Sequence, residues 1–160
     1  MLWEDMEDAR IQIERAMKYA DILKVSEEEM TFLTGTQDLD AGSKYLLDKG
    51  MALVLVSLGD QGAYFRNHSS FGCVSGYPVN AVDTTGAGDA FIGAFLWKAK
   101  RMMREELAFM NPVQMKQMVK FANAAGALTT TGSGAIPAMP SLERIQSFMN
   151  EMEDVISCRQ

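Results

Sequence analysis

The sequence predicts an α/β fold, and three observations carry that expectation. Ala52-Leu53-Val54-Leu55-Val56 is an unbroken apolar run, as expected of a strand covered on both faces. Segments of helical period alternate with such short apolar runs along the first half of the chain. A polar, glycine-bearing stretch, Asp83 to Asp89, then leads straight into an apolar helical pattern.

The chain opens in a helical pattern over Met1–Tyr19. Met6, Ile13 and Met17, with Ala9 and Ala16 around the turn, form one apolar face against Glu7, Arg10, Glu14 and Lys18. Ala20–Val25 reads as a short buried strand. Ser26-Glu27-Glu28-Glu29 has the S-x-x-E spacing of a capping box and starts a short helix that ends near Gly35. A further helix spans about Leu39–Lys49, with Gly50 as its stop. After the strand at Met51–Leu58, Gly59-Asp60-Gln61-Gly62 turns the chain into Ala63-Tyr64-Phe65, a hairpin-like continuation. Asn67–Ser70 is a polar turn before a third extended stretch, Phe71–Ser75.

The helix that begins at Ala87 is expected to reach about Met103. Its small residues Ala90, Gly93 and Ala94 would lie close to the sheet, and Phe91, Phe95 and Leu96 would fill the core. Asn111-Pro112 reads as the cap and first residue of a helix to about Thr129. Gly132–Pro140 is a loop. Ser141 caps a last helix with Ile145, Phe148 and Met152 on one face.

The 160 residues suit one domain. A net charge of −6 argues against a nucleic-acid surface, which needs a basic patch. No apolar run approaches the roughly 20 residues of a membrane span, and no basic-then-apolar leader opens the chain. Cys73 and Cys158 form no C-x-x-C pair and no disulfide framework. These features give a cytoplasmic expectation. His68, the only histidine, lies in a turn without metal partners and reads as a surface residue.

Asp83-Thr84-Thr85-Gly86-Ala87-Gly88-Asp89 carries the chemistry. The first turn of a helix has N–H groups without carbonyl partners, at the positive end of the macrodipole, and so can hold an anion. Gly86 and Gly88 can leave room for a phosphate. With Asp89 beside such a cradle, the pattern suggests phosphoryl transfer in which the carboxylate receives a hydroxyl proton. The simpler reading is that Thr84 or Thr85 caps the helix and Asp89 merely favours its dipole. Gly88–Gly93 has the glycine spacing of a Walker A loop, but Ala94-Phe95 replaces Lys-Ser/Thr. No G-x-G-x-x-G is present, and the absence of that fingerprint argues against a dinucleotide oxidoreductase.

D-T-T-G-A-G-D-A-F over Asp83–Phe91 resembles the C-terminal signature of the ribokinase-like (PfkB) carbohydrate kinases, most closely their fructokinases. The resemblance implies a three-layer α/β/α fold with a central, mostly parallel sheet. It implies that Gly86, Ala87 and Gly88 form the anion hole and that Asp89 is the catalytic base. Ala20–Glu29 is similar to the segment in which the family often has Asn-x-x-Glu. Glu29 falls on that Glu, which acts through water on the Mg²⁺ that accompanies ATP; Ser26 stands where Asn is usual. The capping box alone would also explain both residues.

Val56–Gly62 resembles the family's Thr/Ser-Leu-Gly-x-x-Gly loop, which assigns Ser57, Gly59 and Gly62 to the nucleotide phosphates. Asn123 falls on the family's residue beside the adenine. Asp83 and the loop from Gly132 to Ala138 match the region that holds a monovalent cation, K⁺, in many members. The implied cofactors are thus ATP and Mg²⁺ with K⁺, and the implied substrate is a fructose-like sugar, favoured within the family by Lys24-Val25-Ser26 and Leu2-Trp3, with 2-keto-3-deoxygluconate or another furanose-like acceptor as the alternative.

Members of this family are about twice as long. Residues 1–160 resemble a single C-terminal nucleotide-binding portion, without the N-terminal strands, sugar-binding residues and β lid. Leu2-Trp3 resembles the point just after a strand bearing Asp-x-Asn-x-Arg. An apolar sheet edge left open invites pairing, so a homo-oligomer or association with the missing half is expected. The alternative expectation is a catalytically silent nucleotide-binding or dimerisation fragment that lacks the sugar pocket.

Overall fold

The computed structural model describes residues 5–157, with side chains through Glu153; Leu2-Trp3 and Cys158 lie outside the described residues. Among the described residues the α/β chain contains four strands and eight helices, with three of the strands in succession at its middle and five of the helices in succession after them. They fall into two compact units. Within the described residues the first comprises 5–58, 63–73 and 102–112, and the second comprises 59–62, 74–101 and 113–157.

In the first unit, Asp5 caps α1 (Met6–Met17) through its side chain. Ala9 and Met17 are buried and Ile13 packs on the core, as the helical period requires. Met6 and Ala16 instead face solvent, which narrows the expected apolar face to one stripe. β1 (Ile22–Ser26) is half-buried, with only Val25 fully covered. It is one of the two outer strands of the four-strand sheet, whose order follows the chain, and an outer strand lacks a neighbour on one side. The expected capping box forms in full and starts α2 (Glu27–Thr34). Ser26 N–H donates to Glu29 Oε2 at 2.7 Å and Glu29 N–H to Ser26 Oγ at 3.2 Å. Gly35, at φ +73°, ends α2 in the left-handed conformation that glycine adopts without strain. α3 (Leu39–Asp48) follows under the cap of Asp38.

β2 (Leu53–Ser57) is covered on both faces, and Leu53 to Val56 are each 0% exposed. It pairs parallel with β1 and antiparallel with β3 (Gly62–Asn67). The sheet is therefore mixed, its antiparallel share coming from the turn at Gly59–Gln61, a short 3₁₀ segment. Val25, Val54, Val56 and Tyr64 lie in one core with Met30, Leu33, Leu46 and Leu47 of α2 and α3. Each large side chain so buried contributes roughly 1.5–3 kcal/mol.

The Asn67–Ser70 turn is more than a polar surface loop. Asn67 is 3% exposed. Its Nδ2 donates to Leu107 O at 3.0 Å and Met110 O at 2.9 Å, while its Oδ1 accepts from Ser69 N–H and Ser70 N–H. The strand-to-strand turn is thereby tied to α5 (Arg104–Ala108). His68 is exposed, as expected. β4 (Phe71–Ser75) leads out of this unit.

In the second unit, α4 (Ala87–Ala99) ends four residues short of Met103. The remainder forms a break and α5, which belongs to the first unit and starts where Glu106 Oε2 accepts the Met103 N–H. Phe91 and Phe95 are buried, but Leu96 is 47% exposed and Gly93 faces open space. The close approach comes from the opposite partner. Gly126 of α6 (Pro112–Thr130) sits where a Cβ would lie 3.2 Å from Ala87 O. The expected loop after α6 contains one helical turn, α7 (Ala135–Ala138). Ser141 Oγ accepts the Arg144 N–H at the start of α8 (Leu142–Ser157). Ile145 and Phe148 pack with Phe121, Ala124, Ala125 and Leu128, and Met152 packs at the edge of that core, as expected. Among the described residues no helix is long and apolar enough to cross a membrane.

Candidate functional site

The start of α4 is built by backbone and carboxylate bonds. Val82 N–H and Asp83 N–H both donate to Thr130 O, at 2.7 and 3.1 Å, fixing the segment before α4 to the end of α6. Asp83 Oδ1 accepts from Thr85 N–H at 2.9 Å, and Oδ2 accepts from Gly134 N–H at 2.9 Å. Bonds from the Thr85 hydroxyl first, then from the Thr85 and Gly134 amides, hold the Asp83 carboxyl down to about 2. Each stabilises the ionised form.

Gly86 is the cap residue of α4, at φ +81°. A Cβ there would lie 2.7 Å from Ala135 Cβ and 2.9 Å from Ala135 Cα. Glycine is thus required twice, once for the backbone and once for the space. No side chain caps the helix, so neither Thr84 nor Thr85 plays the simpler capping role. Ala87 N–H donates to Thr84 O at 3.2 Å and Ala90 N–H to Gly86 O at 2.9 Å. The Gly88 and Asp89 N–H groups between them have no protein partner among the described residues. An uncapped first turn is where an anion binds best. Asp89 is exposed on that same turn. It borders a pocket of about 220 Å³ floored by Gly93, Ala94, Trp97 and Phe121.

Gly59 and Gly62 of the second glycine turn lie in the same unit, at φ +59° and +106°. Gln61 O accepts the Gly76 N–H at 3.0 Å. Asn123 does not face solvent, as a mid-helix asparagine usually would. It is 6% exposed, and its Nδ2 donates to Val74 O at 3.0 Å and Ser75 O at 3.1 Å.

Ser57 and Glu29 belong to the other unit. Ser57 Oγ donates to Val25 O at 3.3 Å, between paired strands. Glu29 is exposed with Oε2 engaged in the capping box. Among the described residues no group of three or more His, Cys, Asp or Glu could hold a metal directly. A single carboxylate of this kind fits Mg²⁺ bound through water, an ion that usually keeps several waters and few protein ligands. Asp83 is anionic at neutral pH and each oxygen retains acceptor capacity beyond its N–H bond, which fits a monovalent cation.

Sequence reasoning missed three parts of this neighbourhood: the Asp83–Gly134 bond, the Gly126 approach to Ala87, and the pocket beside Asp89. Gly126 inside a helical run of small residues was a readable sign of close backbone contact. The other two depend on how distant segments meet.

Residues 1–142 match the profile described as "pfkB family carbohydrate kinase". The chain is 44% identical over 141 residues to Fructokinase-1 of Zea mays, covering 88% of this chain and 43% of that protein. With Fructokinase-1 of Oryza sativa subsp. japonica the identity is 42% over 149 residues, covering 92% and 45%. Fructokinase from Vibrio cholerae O395, solved with fructose, ADP and calcium ion, superposes with a TM-score of 0.80 at 38% identity, over 92% of this chain and 46% of that one. Fructokinase from Xylella fastidiosa with bound ATP gives a TM-score of 0.84 at 28% identity, over 96% and 49%. The chain thus spans somewhat less than half the length of these relatives.

Proposed function

The chain belongs to the pfkB family of carbohydrate kinases and has their ribokinase-like fold, and from that premise we propose that it serves ATP-dependent phosphoryl transfer to a hydroxyl of a fructose-like sugar. The observation that carries the proposal is the start of α4. Its uncapped Gly88 and Asp89 N–H groups stand beside an exposed Asp89 carboxylate. The sugar oxygen attacks the γ-phosphorus of ATP, its bond to the β–γ bridging oxygen breaks, and ADP leaves. The hydroxyl proton passes to Asp89. Charge that gathers on the transferring phosphoryl group is met in the Gly86–Ala87–Gly88 anion hole by the amides of Gly86 and Gly88, unpartnered among the described residues, and Ala87 N–H would join them by giving up its 3.2 Å bond to Thr84 O.

Ser57, Gly59 and Gly62 would border the nucleotide phosphates, and Asn123 the adenine end. Glu29 would hold Mg²⁺ through water, and the ion supplies charge neutralisation on the phosphates. Asp83 would hold K⁺ beside the anion hole. In this reading residues 1–160 act as one nucleotide-binding portion in the cytoplasm.

A second reading is a nucleotide-binding or dimerisation module without catalysis. It is favoured by the half-exposed outer strand β1 and by the share of the relatives that the chain spans. Association through β1, with a second copy or with a chain supplying the rest of the relatives' length, belongs to this reading.

Transfer of labelled phosphate from ATP to fructose, measured beside ATP binding by calorimetry, separates the two. Binding with transfer supports the first reading; binding without transfer supports the second. In a chimera that takes the rest of its length from the Zea mays fructokinase, Asp89→Asn should lower turnover about 10²–10⁴-fold. ADP affinity should stay within a few-fold, and unchanged turnover removes Asp89 from the role of base.

A further inference from the structure

We infer that Asn123 is a positioning residue whose amide nitrogen holds the Gly59–Gly62 turn in shape. The inference rests on the nucleotide-binding reading of that turn and names the side chain that sets its geometry.

An amide carries two N–H donors, and a buried one costs free energy unless both are used. Asn123, 6% exposed on α6, uses both on consecutive carbonyls at the end of β4, Val74 O at 3.0 Å and Ser75 O at 3.1 Å. Both partners are acceptors, so the amide nitrogen, and not its oxygen, must face them. The donor half of the amide is thus committed to the chain, and only Oδ1 is left to face a ligand.

The next residue, Gly76, donates its N–H to Gln61 O at 3.0 Å. A Cβ on Gly62 would run into Val74 O and Gly76 N, and one on Gly76 would lie 3.0 Å from Gly62 N and run into Asp60 O. The glycine turn therefore rests backbone against backbone on residues 74–76. Any shift of that segment is passed to the turn without side chains to absorb it. Asn123 fixes the segment, and through it the turn.

The test compares ADP and GDP binding, with Mg²⁺, and amide exchange in the ¹⁵N-labelled chain and its Asn123→Asp variant. The carboxylate has nearly the same shape but no donors. Positioning predicts that Gly76 N–H exchange speeds at least tenfold and that ADP and GDP affinities fall by the same factor, leaving their ratio unchanged. A changed ratio with Gly76 exchange as in the parent chain overturns the inference. If the variant does not fold, the parent chain decides. On addition of ADP the Gly59 and Gly62 amide signals should move while the Asn123 side-chain NH₂ signals stay, and the reverse pattern overturns it. Should neither nucleotide bind, the nucleotide reading of the turn falls, and Gly76 exchange in the variant still decides whether Asn123 holds it.

Discussion

Gly134 N–H donates to Asp83 Oδ2 at 2.9 Å across fifty-one positions of chain. One carboxylate thereby ties the segment before α4 to the segment before α7. The same carboxylate accepts the Thr85 amide through its other oxygen, so the approach to Gly86 is braced from both sides.

That brace makes a pH prediction. Asp83 is lowered from 3.8 to about 2 by hydrogen bonds from the Thr85 hydroxyl, then from the Thr85 and Gly134 amides. A depressed carboxyl contributes stability that is fully present above the unfolded value and is lost as pH falls through the folded one. The window is therefore about pH 4 down to about 2. In amide spectra the Thr85 and Gly134 N–H signals should titrate together at the low end of that window. Titration near pH 4, or of one amide alone, would show that the brace is absent in solution.

Gly86→Ala is expected to destabilise the chain by about 2–3 kcal/mol. Roughly 1–2 kcal/mol comes from forcing an L-residue to a left-handed angle, here φ +81°. The rest comes from the 2.7 Å approach of the new methyl to Ala135 Cβ. At about 2–4 °C per kcal/mol, thermal unfolding should fall by roughly 4–12 °C. Ala135→Gly in the same chain should restore only part of the contact share, because the 2.9 Å approach to the Cα of residue 135 remains. Full restoration would mean that backbone strain at Gly86 is negligible.

The contrast between α2 and α4 explains what could be read from the sequence. The α2 start was legible because Ser26 and Glu29 are three residues apart and complete their box locally. Gly35 and Gly50 marked helix ends for the same local reason, since both take φ above zero. β2 was legible because a fully covered strand needs no alternation. The end of α4 was not, because Leu96 and Trp97 continue an apolar pattern although both face solvent, at 47% and 42%. Within the candidate site the start of α4 at Ala87 was legible, because a glycine-bearing stretch leads there straight into an apolar helical pattern. Asn123 was named through the family resemblance, but its bonds to Val74 O and Ser75 O were not legible, because those partners lie 49 and 48 positions away.

Asn67 offers a test of a buried polar hub. Asn67→Ala removes the donors to Leu107 O and Met110 O and the acceptor for Ser69 and Ser70 N–H. Leaving such buried groups unpaired costs about 1–3 kcal/mol for each one that water cannot reach. A loss of about 3 kcal/mol in denaturant unfolding is expected. Asn67→Asp keeps the acceptor half and should lose less if the two amides of the turn dominate. A loss below about 0.5 kcal/mol for Asn67→Ala would mean that water replaces the hub, since surface changes away from special features stay within that range.

Glu29 has two candidate duties, and two substitutions separate them. Ser26→Ala deletes the hydroxyl that accepts Glu29 N–H at 3.2 Å and should cost about 1 kcal/mol, the usual worth of an N-cap. Glu29→Gln keeps an oxygen able to accept Ser26 N–H, now made at 2.7 Å, but removes the charge. If Glu29 serves only the cap, the glutamine chain should lose at most a few tenths of a kcal/mol, through the weaker macrodipole interaction, and its ATP affinity should respond to Mg²⁺ as the parent's does. If Glu29 also acts on Mg²⁺ through water, the Mg²⁺ concentration needed for half-maximal ATP binding should rise several-fold in Glu29→Gln while Ser26→Ala leaves it unchanged. Calorimetric titration of ATP at graded Mg²⁺ gives the answer, and an identical Mg²⁺ response in all three chains restricts Glu29 to the end of α2.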